Sequence, residues 1–151
     1  MTDKYYTPEK EEFHIGFEYE LLYLEWEKRT WQFHNFSDGR INAMIAANVI
    51  RVKYLDKEDM EELLNRKQLK GNDVELNLQM KITDELIYEF DYNTDTKLLD
   101  IQKIVLYVNG LMDTCEYLFQ GIIKNKSELK KLLIQLNILT SAKNININSI
   151  N

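Results

Sequence analysis

Between Val74 and Ile82 every second residue is apolar. Val74, Leu76, Leu78, Met80 and Ile82 alternate with Glu75, Asn77, Gln79 and Lys81. A period of two sends successive side chains to opposite faces of an extended chain, so this stretch can only be a strand with one dry and one wet face. The pattern then repeats. Thr83-Asp84 turns the chain, and Leu86, Tyr88, Phe90 and Tyr92 alternate again. After the loop Asn93–Thr96, Ile104, Leu106 and Val108 lead into Val108-Asn109-Gly110-Leu111. Asn-Gly between apolar runs is a hairpin signal, because both residues accept positive φ. Thr114 to Ile123 reads as the returning strand. Strands in succession joined by short turns predict an antiparallel sheet.

Helices are expected at three places. Lys124-Asn125-Lys126 breaks the last strand, and Ser127 is in position to cap a helix after it. Leu129, Leu132, Leu133 and Leu136 then fall at i, i+3, i+4 and i+7, one face of a helix. Burying those four leucines is worth about 6–12 kcal/mol as an upper bound. A helix this short is marginal alone and must lie on a platform, which the preceding hairpin supplies. Asp56, with Asp59 three residues on, predicts an N-cap for a helix over 57–66. The Ala-rich stretch Ile41–Asn48 predicts another.

Upstream, Phe13, Ile15, Phe17 and Tyr19 alternate with His14, Gly16, Glu18 and Glu20, which predicts a strand. The aromatic-rich run Trp26–Phe36 predicts a second strand paired with it, and Val49–Tyr54 a short third. The expected class is α+β: an antiparallel meandering sheet with two or three helices packed on one face. Residues 1–12, polar and holding Pro8, read as a flexible lead-in, 13–138 as a single α+β domain and 139–151 as a low-complexity tail.

The chain has 151 residues and a single cysteine, Cys115, so an intrachain disulfide is excluded. Its place in a predicted strand suggests a buried, inert thiol. With no signal-like opening and no apolar run of membrane length, a cytoplasmic setting and no membrane partner are expected. The net charge of −6 argues against a general phosphate-binding surface. Charge is uneven. Asp84, Glu85, Glu89, Asp91, Asp95 and Asp100 face only Lys97 across 84–100, whereas Lys124, Lys126, Lys130, Lys131 and Lys143 face only Glu128 after 123. Such blocks are either ordinary solvated surface or a surface for a partner of opposite sign.

Reactive constellations are weak. No Gly-rich phosphate loop is present. His14 and His34 lie on different predicted strands with no cysteine or fixed carboxylate beside them, so no metal or cofactor is expected. Glu18 and Glu20 share a strand face and have the chemistry of a hydrolase carboxylate pair, or of a plain solvated face. Lys124, Lys126, Lys130 and Lys131 make a basic patch at a helix start, where phosphate can sit, although Glu128 already complements that helix dipole. These six residues are the candidate partner surface. Tyr5, Tyr6, Tyr19, Tyr23 and Tyr54 are either recognition material or half-buried sheet residues.

Three stretches carry a resemblance: Phe13-His14-Ile15-Gly16-Phe17-Glu18-Tyr19-Glu20, Arg51-Val52-Lys53-Tyr54-Leu55-Asp56-Lys57-Glu58-Asp59, and Phe119 to Leu133. Together they resemble a family of small uncharacterised proteins carried by bacterial phages and prophages. Leu64-Asn65-Arg66 stands where that family has a Gly-aromatic step, and the segment after Ile138 looks like an addition. The resemblance implies a non-enzymatic protein acting in the host bacterial cytoplasm. By analogy with anti-CRISPR proteins, its expected partner is a host defence nuclease, such as a type VI RNA-guided RNA nuclease, alone or RNA-bound. A phage accessory or structural module and a small RNA-binding module using the lysine patch are the alternatives.

Overall fold

The computed structural model describes residues 3–32, 38–65 and 70–139. The chain is α+β, with two antiparallel sheets and three α-helices among the described residues. Its contacts divide it into two units at Tyr54–Leu55, inside the stretch 13–138 that reads as one domain from sequence. The strands are accordingly shared between two sheets, each with its own apolar cluster.

The first unit contains β1 (Tyr5–Tyr6), β2 (Glu18–Leu22), β3 (Trp26–Thr30), α1 (Asp38–Ala46) and β4 (Ile50–Lys53), with sheet order β1-β4-β2-β3. Phe17, Tyr19, Ile50 and Val52 form its core, flanked by Phe13, Trp31, Met44 and Ile45. The strand expected from Phe13 onwards begins only at Glu18. Gly16 takes φ +88°, a conformation costly for any residue with a Cβ. The Phe17 N–H donates to the His14 carbonyl at 2.9 Å, closing a turn that leaves Ile15 69% exposed. Phe13 still reaches the core, its ring 5.0 Å from Phe17 and 5.2 Å from Trp31. The alternation is thus a turn followed by a strand: Phe13, Phe17 and Tyr19 meet in the core, and Ile15 does not.

The segment read as a lead-in holds structure. Tyr5 and Tyr6 pair with Lys53 and Val52, and a single 3₁₀ turn spans Lys10–Glu12. The Tyr6 hydroxyl donates to Glu12 Oε2 at 2.5 Å, and the Glu9 N–H to Glu12 Oε1 at 2.9 Å. Cross-strand pairing and carboxylate bonds thus fall within the stretch that polar composition reads as a lead-in.

The second unit is a meander. It contains α2 (Lys57–Leu64), then β5 (Lys70–Gly71), β6 (Glu75–Lys81), β7 (Leu86–Asn93), β8 (Leu98–Leu106) and β9 (Met112–Ile122) in sequential sheet order, then α3 (Lys126–Gln135). Leu76, Leu78 and Met80 of β6 lie across from Tyr92, Phe90 and Tyr88 of β7, and Leu99 and Ile101 of β8 continue that face. Met60 and Leu64 of α2 and Leu129 and Leu133 of α3 close over it. Asp56 Oδ1 accepts from the Asp59 N–H at 3.0 Å, as its sequence position predicts. The cap of α3 is Asn125, not Ser127: Asn125 Oδ1 accepts from the Glu128 N–H at 2.9 Å, while Ser127 is buried inside the first turn. Glu128 Oε2 accepts from the N–H of Lys124, the residue before the cap, at 2.7 Å.

Candidate interaction surface

The side of the second sheet away from α2 and α3 is polar because the same alternation that builds the core leaves the odd-numbered residues of β6 there. Asn77 stands opposite Asp91, and Asp91 opposite Asp100. One row along, Gln79 stands opposite Glu89, Glu89 opposite Gln102, and Gln102 opposite Tyr117. Amide nitrogens stitch the carboxylates together. Asn77 Nδ2 donates to Glu89 at 3.1 Å and to Asp91 at 2.6 Å, and Gln79 Nε2 donates to Glu89 at 2.5 Å. Lys81, at the far end of β6, is paired with Asp84 at 2.8 Å, which holds the Asp84 carboxyl below its ordinary range.

The β8–β9 hairpin runs past the last β7 pairing, Leu86 with Val105, so at Leu106 and Met112 the two strands pair only with each other. Only Gly110 there takes positive φ, at +80°. The Gly110 N–H donates to the Tyr107 carbonyl and the Tyr107 N–H to the Leu111 carbonyl, both at 2.8 Å. The loop is therefore a turn over Val108-Asn109 closed by a left-handed glycine, rather than the two-residue Asn-Gly turn expected, and Asn109 Oδ1 accepts from the Leu111 N–H at 3.0 Å. This geometry presents Tyr107, Val108, Leu111 and Met112 to solvent, Val108 at 94% exposure, with Tyr117 further along β9.

Cys115 stands opposite Ile104, which stands opposite Ile87, on the sheet face that bears Glu89 and Gln102, and it is exposed, which corrects the expectation of a buried thiol. It sits on the edge strand, and its Sγ–H donates to Gln102 Oε1 at 3.0 Å.

The six residues singled out from sequence are held in different ways. In the first unit, Glu20 Oε2 accepts from Arg51 Nε at 2.6 Å. Arg51 in turn lies over the Tyr5 ring at 3.7 Å and the Trp26 ring at 4.0 Å, so Glu20 is part of a packed cluster. Glu18 is exposed on the same strand face. In the second unit, Lys126 pairs with Glu62 of α2 at 2.9 Å. Lys124 is half-buried, and Lys130 and Lys131 are exposed on α3. Among the tyrosines, Tyr19 is core, Tyr6 stacks on Tyr54 at 4.6 Å, and Tyr23 is exposed. His14 is half-buried, with Nδ1 2.9 Å from the Glu12 carbonyl; His34, Phe33 and Phe36 lie outside the described residues, as does the tail after Leu139.

Sequence reasoning noted the acidic run 84–100 but did not single out Asn77, Glu89, Asp91 or Asp100. The signal was present in the alternation itself, since the wet side of three adjacent strands must form one surface. Among the described residues, no group of three or more His, Cys, Asp or Glu side chains is placed to hold a metal ion. Nor, among them, is any helix long and apolar enough to cross a membrane. No family model, curated protein or solved structure matches this chain.

Proposed function

We propose that this chain is a non-enzymatic binding protein that engages and blocks a host defence nuclease, in the manner of an anti-CRISPR inhibitor of a type VI RNA-guided RNA nuclease. The observation that carries the binding role is the hairpin tip, where Tyr107, Val108, Leu111 and Met112 are exposed together on a turn fixed by its own hydrogen bonds. A contiguous apolar patch rimmed by polar residues marks a docking surface. The carboxylate-rich sheet face of the same unit suits a basic partner such as a protein that holds RNA, and speeds encounter at low salt. The nuclease as target rests on the resemblance of residues 13–20, 51–59 and 119–133 to phage proteins.

The test is target-RNA cleavage by purified, guide-loaded type VI effectors with this protein in excess. Loss of cleavage together with co-elution of the two proteins is expected. The variant Val108→Asp/Leu111→Asp restores cleavage without changing the circular dichroism spectrum. Undiminished cleavage by every effector tried, with no co-elution, overturns the reading. Self-association by light scattering would then point to a structural module.

A further inference from the structure

Gly110 follows Asn109 at the tip of the β8–β9 hairpin, and no other asparagine in the chain is followed by glycine. In that pair the asparagine side chain is most open to attack by its own backbone, because glycine has no side chain to shield the attacking nitrogen. Both residues are exposed, and a Cβ added at Gly110 would meet no atom within 4 Å.

The turn prepares the electrophile and restrains the nucleophile. Asn109 Oδ1 accepts from the Leu111 N–H at 3.0 Å, which folds the side chain forward over the Gly110 peptide and draws electron density from Cγ, the carbon under attack. The Gly110 N–H donates to the Tyr107 carbonyl at 2.8 Å, which keeps the attacking nitrogen protonated. The reaction therefore waits for that bond to open. Opening is cheap here, because Val108 is 94% exposed and Leu111 is largely exposed, so little apolar surface holds the tip closed.

We propose that Asn109 is a self-modification site, gated by its own turn, that converts to aspartate and isoaspartate with water as the co-reactant. When the turn opens, the Gly110 nitrogen gives up its proton and bonds to Asn109 Cγ. The bond from Cγ to the side-chain nitrogen breaks, and that nitrogen leaves with the proton as ammonia, so a cyclic imide remains. Water opens the imide. Addition at Cγ restores the ordinary peptide bond and leaves aspartate. Addition at the main-chain carbonyl leaves isoaspartate, in which the chain runs through the side-chain methylene. The two products differ at the turn. Aspartate keeps an oxygen for the Leu111 N–H. Isoaspartate puts one more atom into the backbone of a loop closed by two 2.8 Å bonds, Gly110 to Tyr107 and Tyr107 to Leu111, and the longer loop does not re-form both. Either product sets a negative charge among the exposed Tyr107, Val108, Leu111 and Met112. The proposal goes beyond the nuclease reading and does not depend on it, because it is read on the free chain.

The experiment ages the full chain at mildly alkaline pH and physiological temperature, beside a urea-unfolded sample at the same pH. Ion exchange separates the products, and peptide mapping with a protease that cuts before aspartate and spares isoaspartate assigns them. Asn109 is expected to be the first asparagine modified in the folded chain, ahead of Asn148, whose small neighbour Ser149 makes it the nearest rival by sequence. The folded chain should react more slowly than the unfolded one by about twofold to tenfold, the net worth of the one hydrogen bond that must open. In the ¹⁵N-labelled protein, the isoaspartate fraction should lose amide-exchange protection at Tyr107 and Gly110, and the aspartate fraction should keep it. Asn109→Gln, whose longer side chain does not close the same ring, should stay unchanged at that position over the same period. Modification of another asparagine first, an intact Asn109 in the folded chain once the unfolded chain has reacted fully, equal rates in the two samples, or an isoaspartate form that keeps its protection each overturn the proposal.

Discussion

The Tyr92 hydroxyl donates to the Ile123 carbonyl at 3.0 Å, inside the core of the second unit. The bond ties the middle of the sheet to the chain segment where β9 hands over to α3. The Ile123 N–H in turn donates to the Lys97 carbonyl at 2.9 Å, and the Leu55 N–H to the Lys124 carbonyl at 2.7 Å. The link between strand and helix is therefore pinned from three sides.

Tyr92→Phe keeps the ring and removes the donor, leaving the Ile123 carbonyl unsatisfied. A loss of about 1–2 kcal/mol in urea unfolding is expected. The pH dependence gives a second readout. Burial, followed by the nearby carboxylates of Glu128, Asp56 and Asp59, raises the Tyr92 pKa well above the ordinary phenol value. A group whose folded pKa is raised contributes stability that is present below its unfolded pKa, about 10, and is lost as pH rises beyond it. The wild-type chain should therefore lose stability more steeply than Tyr92→Phe above about pH 10. Parallel slopes in urea titrations at pH 9 and pH 11 would contradict the assignment.

Arg51→Lys tests the cluster in the first unit. Arg51 binds Glu20 through Nε and lies against two aromatic rings, and neither side chain of the ion pair is more than a quarter exposed. Lysine keeps the charge but has no planar face to stack and no Nε–H at that position. A cost of about 1–2 kcal/mol is expected, from weakened cation–π contacts and a displaced charge-assisted bond. Thermal unfolding checks it, and a neutral result would show that the stack contributes nothing.

The parts of the fold legible in the sequence are those fixed by local periodicity. The alternation from Val74 to Ile82 has β6 at its centre, Leu129 and Leu133 are buried on α3 with Leu132 half-buried beside them, and Asp56 caps α2. What was not legible depends on neighbours distant in sequence. Whether Phe13–Tyr19 is all strand is decided by the turn at Gly16 and its bond to the Trp31 carbonyl. Whether Cys115 is buried is decided by the register that sets it opposite Ile104 and Ile87, on the face away from the helices. The division into two sheets comes from two apolar clusters that do not merge, which periodicity cannot express. Among the candidate residues, Glu20 and Lys126 carry the charges their positions suggested, but Arg51 and Glu62, remote in sequence, already compensate them. Asn77, Asp91 and Asp100 become one group only once register is known.

Asn125→Ala tests the corrected cap of α3. Removing Oδ1 strips the Glu128 N–H of its partner at a helix start where Asn125 itself is 2% exposed. A cost of about 0.5–2 kcal/mol is expected. Asn125→Ser, which keeps a capping oxygen, should recover most of it. If alanine and serine are equally destabilising, packing of the asparagine rather than its cap bond is what matters.

Cys115 separates two pictures of β9 by chemistry. A thiol inside a core reacts only when the chain opens, so its modification is limited by unfolding or local opening and is slow under native conditions. Cys115 is exposed on an edge strand. Its bond to Gln102 Oε1 does not cover the sulfur. The native protein should therefore react completely with a disulfide reagent at a rate close to that of the urea-unfolded chain. Cys115→Ser should change stability by less than about 0.5 kcal/mol, as expected for a surface position. Protection of the thiol by a bound partner would then map that partner to the hairpin, since Cys115 stands between Met112 and Tyr117 on the same strand. Slow, unfolding-limited modification of the free protein would mean that the hairpin is covered in solution, and the docking surface would have to be sought elsewhere.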